Sequence, residues 1–205
     1  VNTAQPYGVG DFGALAVHGV LSWDGRDSVV FPRRGIFAAL RGSYYFEGGD
    51  AESAFQQVNG NVNAYLSGGP VTLALRAGGK KVFGKYPYME AAGLGQGGLG
   101  ALALEEPRDT LRGYRSRRYL GDSSAFVNGD LRLRISRINL LLPSTWGITV
   151  SGDVGRVWLE GEESDTWHTG VGGGIWLSLL SNRMAFSFGL NHGKEEDLFY
   201  FSGGF

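Results

Sequence analysis

Four arginines fall within seven positions of the segment LRGYRSRRYLGD (111–122): Arg112, Arg115, Arg117 and Arg118. Clustered guanidinium groups engage phosphates or carboxylates through forked hydrogen bonds. Nucleic acid would be one such acceptor. However, 19 Lys and Arg face 20 Asp and Glu across the chain, and Tyr114 and Tyr119 alone make no stacking groove. No nucleic-acid partner is expected. His18, Ser22 and Asp24 share one face of an extended segment and are the residue types of a hydrolytic triad. Along a strand, His18 and Ser22 stand about 13 Å apart, beyond hydrogen-bond reach. GLGQGGLG (93–100) contains GxGxxG but lacks the surrounding βαβ unit that a dinucleotide site needs, and GGKK (78–81) lacks P-loop spacing. His168 and His192 are isolated and the chain has no Cys, so no metal-ligand spacing emerges. The expectation is a protein that is not an enzyme and carries no cofactor, with catalytic and metal sites both none.

The arginines therefore have to be understood through the elements that hold them. A chain of 205 residues suffices for one domain with a sizeable core. Gly is abundant at 35 residues, yet no Gly-X-Y period is present and apolar content is 42%, which excludes collagen-like and disordered classes. Apolar runs such as INLLL (138–142) are far too short for a membrane-spanning helix. The first residues lack the regions of a signal peptide, so any such peptide is expected to be gone already.

The informative signal is period two. In FVNGDLRLRIS (126–136), Val127, Leu131, Leu133 and Ile135 alternate with Asn128, Asp130, Arg132, Arg134 and Ser136. AFQQVNGNVNAYL (54–66) sets Gln57, Asn59, Asn61 and Asn63 against Val58, Val62, Ala64 and Leu66. RMAFSFGL (183–190) and DLFYFSGGF (197–205) alternate in the same way, the latter placing Phe199, Phe201 and Phe205 on one side. Weaker runs at 13–23, 35–46, 71–83, 145–158 and 168–180 complete nine candidate strands, each with an apolar and a polar face. Connections at 67–70, 139–144 and 180–183 are short, whereas 47–53, 84–123, 159–167 and 191–197 are longer. Alternation of short and long connections fits an up-and-down barrel of the outer membrane. A soluble barrel can alternate too, but there the apolar face points inward. Trp146 and Trp158 share a strand face twelve residues apart. That is about 40 Å along the strand, or about 28 Å of height at a 45° tilt. This is the separation of two interfacial aromatic girdles. The fold class expected is all-β: one antiparallel transmembrane β-barrel over 1–205, of about 8–10 strands, with a long inward-folded loop at 84–123. Asp130, Arg132 and Arg134 then form a polar cluster in the lumen, where charges need partners or water.

At this point the chain resembles the bacterial surface antigen family, the C-terminal barrel of Bam/Tam-type outer-membrane assembly factors and related two-partner-secretion transporters. WDGRDSVVFPRRGIF (23–37) resembles the family's strand-turn-strand, and LRGY (111–114) the arginine–glycine–aromatic tip of a loop that folds into the lumen. GDVGRVW (152–158) is similar to the strand whose aspartate receives that tip, and MAFSFGL…DLFYFSGGF (184–205) to the last two strands with their aromatic assembly signal. The likeness runs over essentially the whole chain. It departs at Ser151, where the family usually has Phe or Gly two residues before the aspartate. It also departs in extent, since the family carries N-terminal periplasmic repeats and about twice as many strands. Nine strands cannot close an ordinary even-numbered barrel. A tenth strand, a fragment or an assembly is therefore implied.

The resemblance implies a loop–lumen lock in which Arg112, Gly113 and Tyr114 dock on the strand of Asp153. For Arg115, Arg117 and Arg118 the partners stay open among Asp122, Asp130, lipopolysaccharide phosphates and solvent. It further implies residence in the bacterial outer membrane and help in inserting or translocating outer-membrane proteins through a seam between first and last strands. Phe199, Phe201 and Phe205 would lie on one side of that seam. The partners implied are outer-membrane lipid and lipopolysaccharide, client polypeptides, and periplasmic accessory domains or a second barrel portion. The alternative is a membrane anchor or small pore barrel of a larger secreted or surface protein.

Overall fold

The structure is a computed structural model, and it describes residues 7–8, 11–95, 110–139, 142–163, 165–180 and 182–203. Phe205 and most of the GxGxxG stretch lie outside the described residues. The strands in chain order are β1 (Ala16–Asp24), β2 (Gly35–Tyr45), β3 (Phe55–Gly68), β4 (Val71–Phe83), β5 (Ala92–Leu94) and β6 (Tyr119–Gly121). They continue as β7 (Ser123–Asn139), β8 (Pro143–Trp158), β9 (His168–Leu179), β10 (Met184–His192) and β11 (Asp197–Gly203). Among the described residues the nine long strands form one antiparallel meander in chain order, and β5 pairs with β6 in a separate two-stranded sheet. Both short strands lie within the long connection, which sequence alone read as having little regular structure.

Among the described residues the sheet rolls on itself without closing, since β1 and β11 are not paired with each other. In an antiparallel meander of nine strands, the first and last run in the same direction. The curvature is evident from what meets inside: Phe31, in the β1–β2 connection, packs on Trp176 of β9 and Ala185 of β10. That connection is organised by its own polar residues. Arg26 grips Asp24 through two bonds of 2.8 and 2.7 Å, and the Asp27 carboxylate accepts the Arg33 and Arg34 amides. So tied, the segment turns Phe31 and Pro32 inward, where both are buried.

The two faces separate by chemistry. Gln57, Thr72, Asn128, Thr149, Ser187 and Asn191 are buried on the concave side. On the convex side Leu40, Val62, Leu131, Val150, Val171 and Leu190 are exposed. Trp146 and Trp158 both lie on the convex face of β8; Trp158 stacks edge-on with Trp167 and lies under the Arg156 guanidinium at 4.9 Å. Beyond Arg134 the expected alternation does not continue, because a bulge in β7 pairs Ser136 with Trp146 and Arg137 with Thr145. An extra residue reverses the facing of all that follow. Ser136 therefore leaves the inner face and Arg137 joins it.

Trp176 carries much of the interior at the short-turn end. It donates from Nε1 to the Ile148 carbonyl at 3.1 Å and packs against Phe31 at a ring separation of 4.8 Å. Gly147 makes room for it, because a Cβ there would lie 2.5 Å from the indole. Trp176→Ala is expected to cost about 3–5 kcal/mol of stability, whereas Trp23→Ala, on the convex face, should change it by under about 0.5 kcal/mol in a matching apolar solvent. Guanidinium unfolding of the detergent-refolded chain, followed by circular dichroism, makes the comparison.

Candidate functional site

The long connection brings residues 110–121 into the concavity. Leu111, Tyr114, Leu94 and Phe126 form a buried apolar cluster that seats the segment against β7. Thr110 bonds across to Gly95, and its carbonyl accepts the Asn128 amide at 3.2 Å. These contacts aim Arg112 at β8. Its Nε and Nη2 donate to the two oxygens of Asp153 at 2.8 and 2.6 Å, and its backbone N–H adds a third bond of 2.8 Å. The remaining Nη1 donates to Asp130 of β7 at 2.7 Å. Asp153 faces Asn128 across the β7–β8 ladder and Asp130 faces Ser151, so the two carboxylates are diagonal neighbours on one surface. The Arg112 side chain is 9% exposed and that of Asp153 only 2%. A guanidinium fork matched to a carboxylate in such a setting is far stronger than a surface pair.

The residues after Arg112 complete the seat. Gly113 takes φ +88°, and a Cβ there would stand 2.7 Å from the Gly193 amide nitrogen in the β10–β11 turn. Gly170 of β9 is equally constrained, because its Cβ would meet the Arg112 carbonyl oxygen at 2.1 Å. The Tyr114 hydroxyl donates to the Thr169 carbonyl at 3.1 Å and accepts the Lys194 amide at 3.0 Å. The tip thus touches β7, β8, β9 and the β10–β11 turn together.

Arg115 and Arg118 find partners that sequence alone did not identify. Arg115 pairs with Glu196 at 3.0 Å, and Arg118 with Glu195 at 2.7 Å. Arg117, in a left-handed conformation, donates to the Met89 carbonyl. Neither Asp130 nor Asp122 is available to them: Asp130 is held by Arg112, while Asp122 accepts the Tyr86 hydroxyl and the Glu160 amide. Arg118 holds the Glu195 carboxyl below its ordinary value by hydrogen bonding, with slight burial opposing it. Burial, then the charge of Glu195, pushes the Tyr119 phenol up to about 12.

Arg132, two residues from Asp130, is 4% exposed and lies 3.9 Å from that carboxylate. It contacts the Pro32 carbonyl at 3.5 Å and sits over the Phe31 and Tyr65 rings. Arg134 follows on the same face toward the short-turn end. Phe199 and Phe201 point outward from β11. His18 bonds Ser43 on the neighbouring strand at 2.8 Å, away from Ser22, so the triad types are not assembled. No known family model matches the chain, and no curated protein matches it.

Removing the Arg112 fork leaves buried Asp153 and half-buried Asp130 as diagonal neighbours without their shared cation. Arg112→Ala should lose about 3–5 kcal/mol, and Arg112→Lys should recover little of it, since an ammonium cannot reproduce the fork. A double-mutant cycle with Asp153→Asn, read by denaturant unfolding, should show strong coupling; additive losses would mean that the pair contributes nothing. The outer pair is pH-dependent in a defined direction. Because Glu195 is depressed in the folded state, its contribution is complete above the ordinary glutamate pKa of about 4.3 and is lost as pH falls through the lowered value. Amide exchange at 115–118, measured on descending pH, should rise in that acidic range and stay flat above it.

Proposed function

We propose that the chain is an outer-membrane β-barrel of the assembly-factor and translocase superfamily, and that it assists insertion or translocation of outer-membrane polypeptides. The observation that carries the membrane part is the inversion of the two faces. Leu21, Trp23, Leu66, Val150, Ile175 and Phe199 are each more than half exposed on the convex side, and they belong to a belt running along every long strand. Soluble monomers rarely expose a contiguous apolar patch above a few hundred Å². A lipid phase is the solvent that such a belt fits, and the polar groups then turn inward. Trp146 and Trp158 would lie at its two boundaries.

The assembly part rests on the resemblance and on the two edges. Among the described residues β1 is paired with β2 and β11 with β10, so these two strands stand at the ends of the sheet order, the position from which a strand can template another chain. Because the edges run in the same direction, one incoming strand running against both would pair antiparallel with each, closing an even-numbered barrel. The Arg112 lock would hold the remaining wall in shape while that seam is occupied. An open pore fits less well: Arg112 and Tyr114 occupy the concavity from one end, and Phe31 with Trp176 from the other.

Refolding of the chain into liposomes should give a band that migrates compactly in gels and slows on boiling. Those liposomes should then accept an unfolded outer-membrane client faster than protein-free ones. Retention in solution without detergent would sink the membrane reading. Membrane insertion with steady single-channel conductance, and no acceleration of the client, would instead favour the small pore or anchor.

A further inference from the structure

The end of the sheet away from the LRGY tip holds a cavity of about 430 Å³ lined by four arginines, Arg33, Arg132, Arg134 and Arg137. They come from two separate stretches, the β1–β2 connection and β7. Their convergence depends on the β7 bulge. In a regular strand Arg137 would share the convex face with Leu131; the extra residue between Arg134 and Ser136 returns it to the face of Arg132 and Arg134. Bulges cluster where a strand must re-aim a side chain. No carboxylate lines this cavity among the described residues. The nearest one in contact, Asp130, lies 3.9 Å from Arg132 and already accepts from Arg112. Arg134 and Arg137 make no ion pair among the described residues. Among the described residues the Arg33 guanidinium donates to a neutral acceptor, the Gly69 carbonyl at 3.1 Å, while its backbone amide is held by Asp27. Arg132 is buried, Arg33 and Arg134 are half-buried and Arg137 is exposed at the rim; positive charge so concentrated calls for an anion.

We infer that this basin binds a phosphate-bearing anion. A carboxylate offers two oxygens in one plane, whereas a phosphate presents oxygens in several directions and meets guanidinium forks arriving from different strands. The volume lies within the range of small-ligand sites, enough for one phosphate or headgroup and too small for a length of nucleic acid. Phe31 and Trp176 form an apolar wall beside the arginines, suited to the glycerol side of a phospholipid headgroup. Free phosphate and a lipid headgroup share this chemistry. The inference rests on the concave face alone and does not require the outer surface to lie in lipid.

Titration calorimetry on the full chain, refolded in uncharged detergent, tests it with inorganic phosphate and with sn-glycerol 1-phosphate. Arg134→Gln and Arg137→Gln should each weaken binding by about tenfold or more, with circular dichroism unchanged. Arg156→Gln, on the convex face at the other end, should leave binding as it was. Equal binding of both probes would identify free phosphate as sufficient. Binding of the glycerol ester alone, accompanied by selective sedimentation with phosphatidylglycerol vesicles over phosphatidylcholine vesicles, would identify the headgroup. Absence of binding for both probes, or binding indifferent to Arg134→Gln and Arg137→Gln, overturns the proposal.

Discussion

One buried guanidinium between two carboxylates organises the inside of this sheet. Asp153 and Asp130 sit diagonally on adjacent strands, so two carboxylates share one patch of the concave surface. Arg112 meets both and adds its own backbone N–H to Asp153. The arrangement works only because the chain around it yields space. Gly113, Gly170 and Gly193 let three backbones approach to distances that a Cβ would forbid. Charge and close packing thus specify the same position for the tip.

From that point a polar line runs down β7. Asp130 links Arg112 to Arg132, and Arg132 reaches the Pro32 carbonyl and the Phe31 ring. The inward loop at one end and the inward connection at the other are therefore joined through a single strand. The filled interior supports the sheet from within, through this polar line and the buried clusters around Tyr114 and Phe31. What remains for the outside is a continuous apolar surface, and the two edge strands.

The nine long strands were legible because alternation is a local signal, repeated many times along the chain. The approach of Arg112 to Asp153 was legible only through resemblance; nothing in the spacing of 111–114 and 153 implies it. The sharing of Arg112 with Asp130 was missed, although Asp130 was rightly placed on the polar face. The bulge had a faint signature, since Ser136 and Arg137 are two polar residues in succession after a strict alternation. Acidic Glu195 and Glu196 in the last turn complement Arg115 and Arg118, and complementary charge in two loops could have suggested it. The packing of Phe31 on Trp176 joins residues 145 apart in the chain. No local pattern announces a contact of that kind.

The seat of the LRGY tip also bears on the order of assembly. Its partners are Asp130 on β7, Asp153 on β8, Thr169 on β9 and the turn at Gly193. The two carboxylates come together with the β7–β8 pair, whereas the whole seat needs four successive strands, and loop closure precedes any gain from the contacts made. The complete seat of the tip therefore exists only once those strands are assembled. Interactions absent from the transition state slow the escape from the native state and leave the speed of reaching it almost untouched. A latch of that kind, closing on a finished structure, governs the lifetime of the folded wall and not the speed at which it is built.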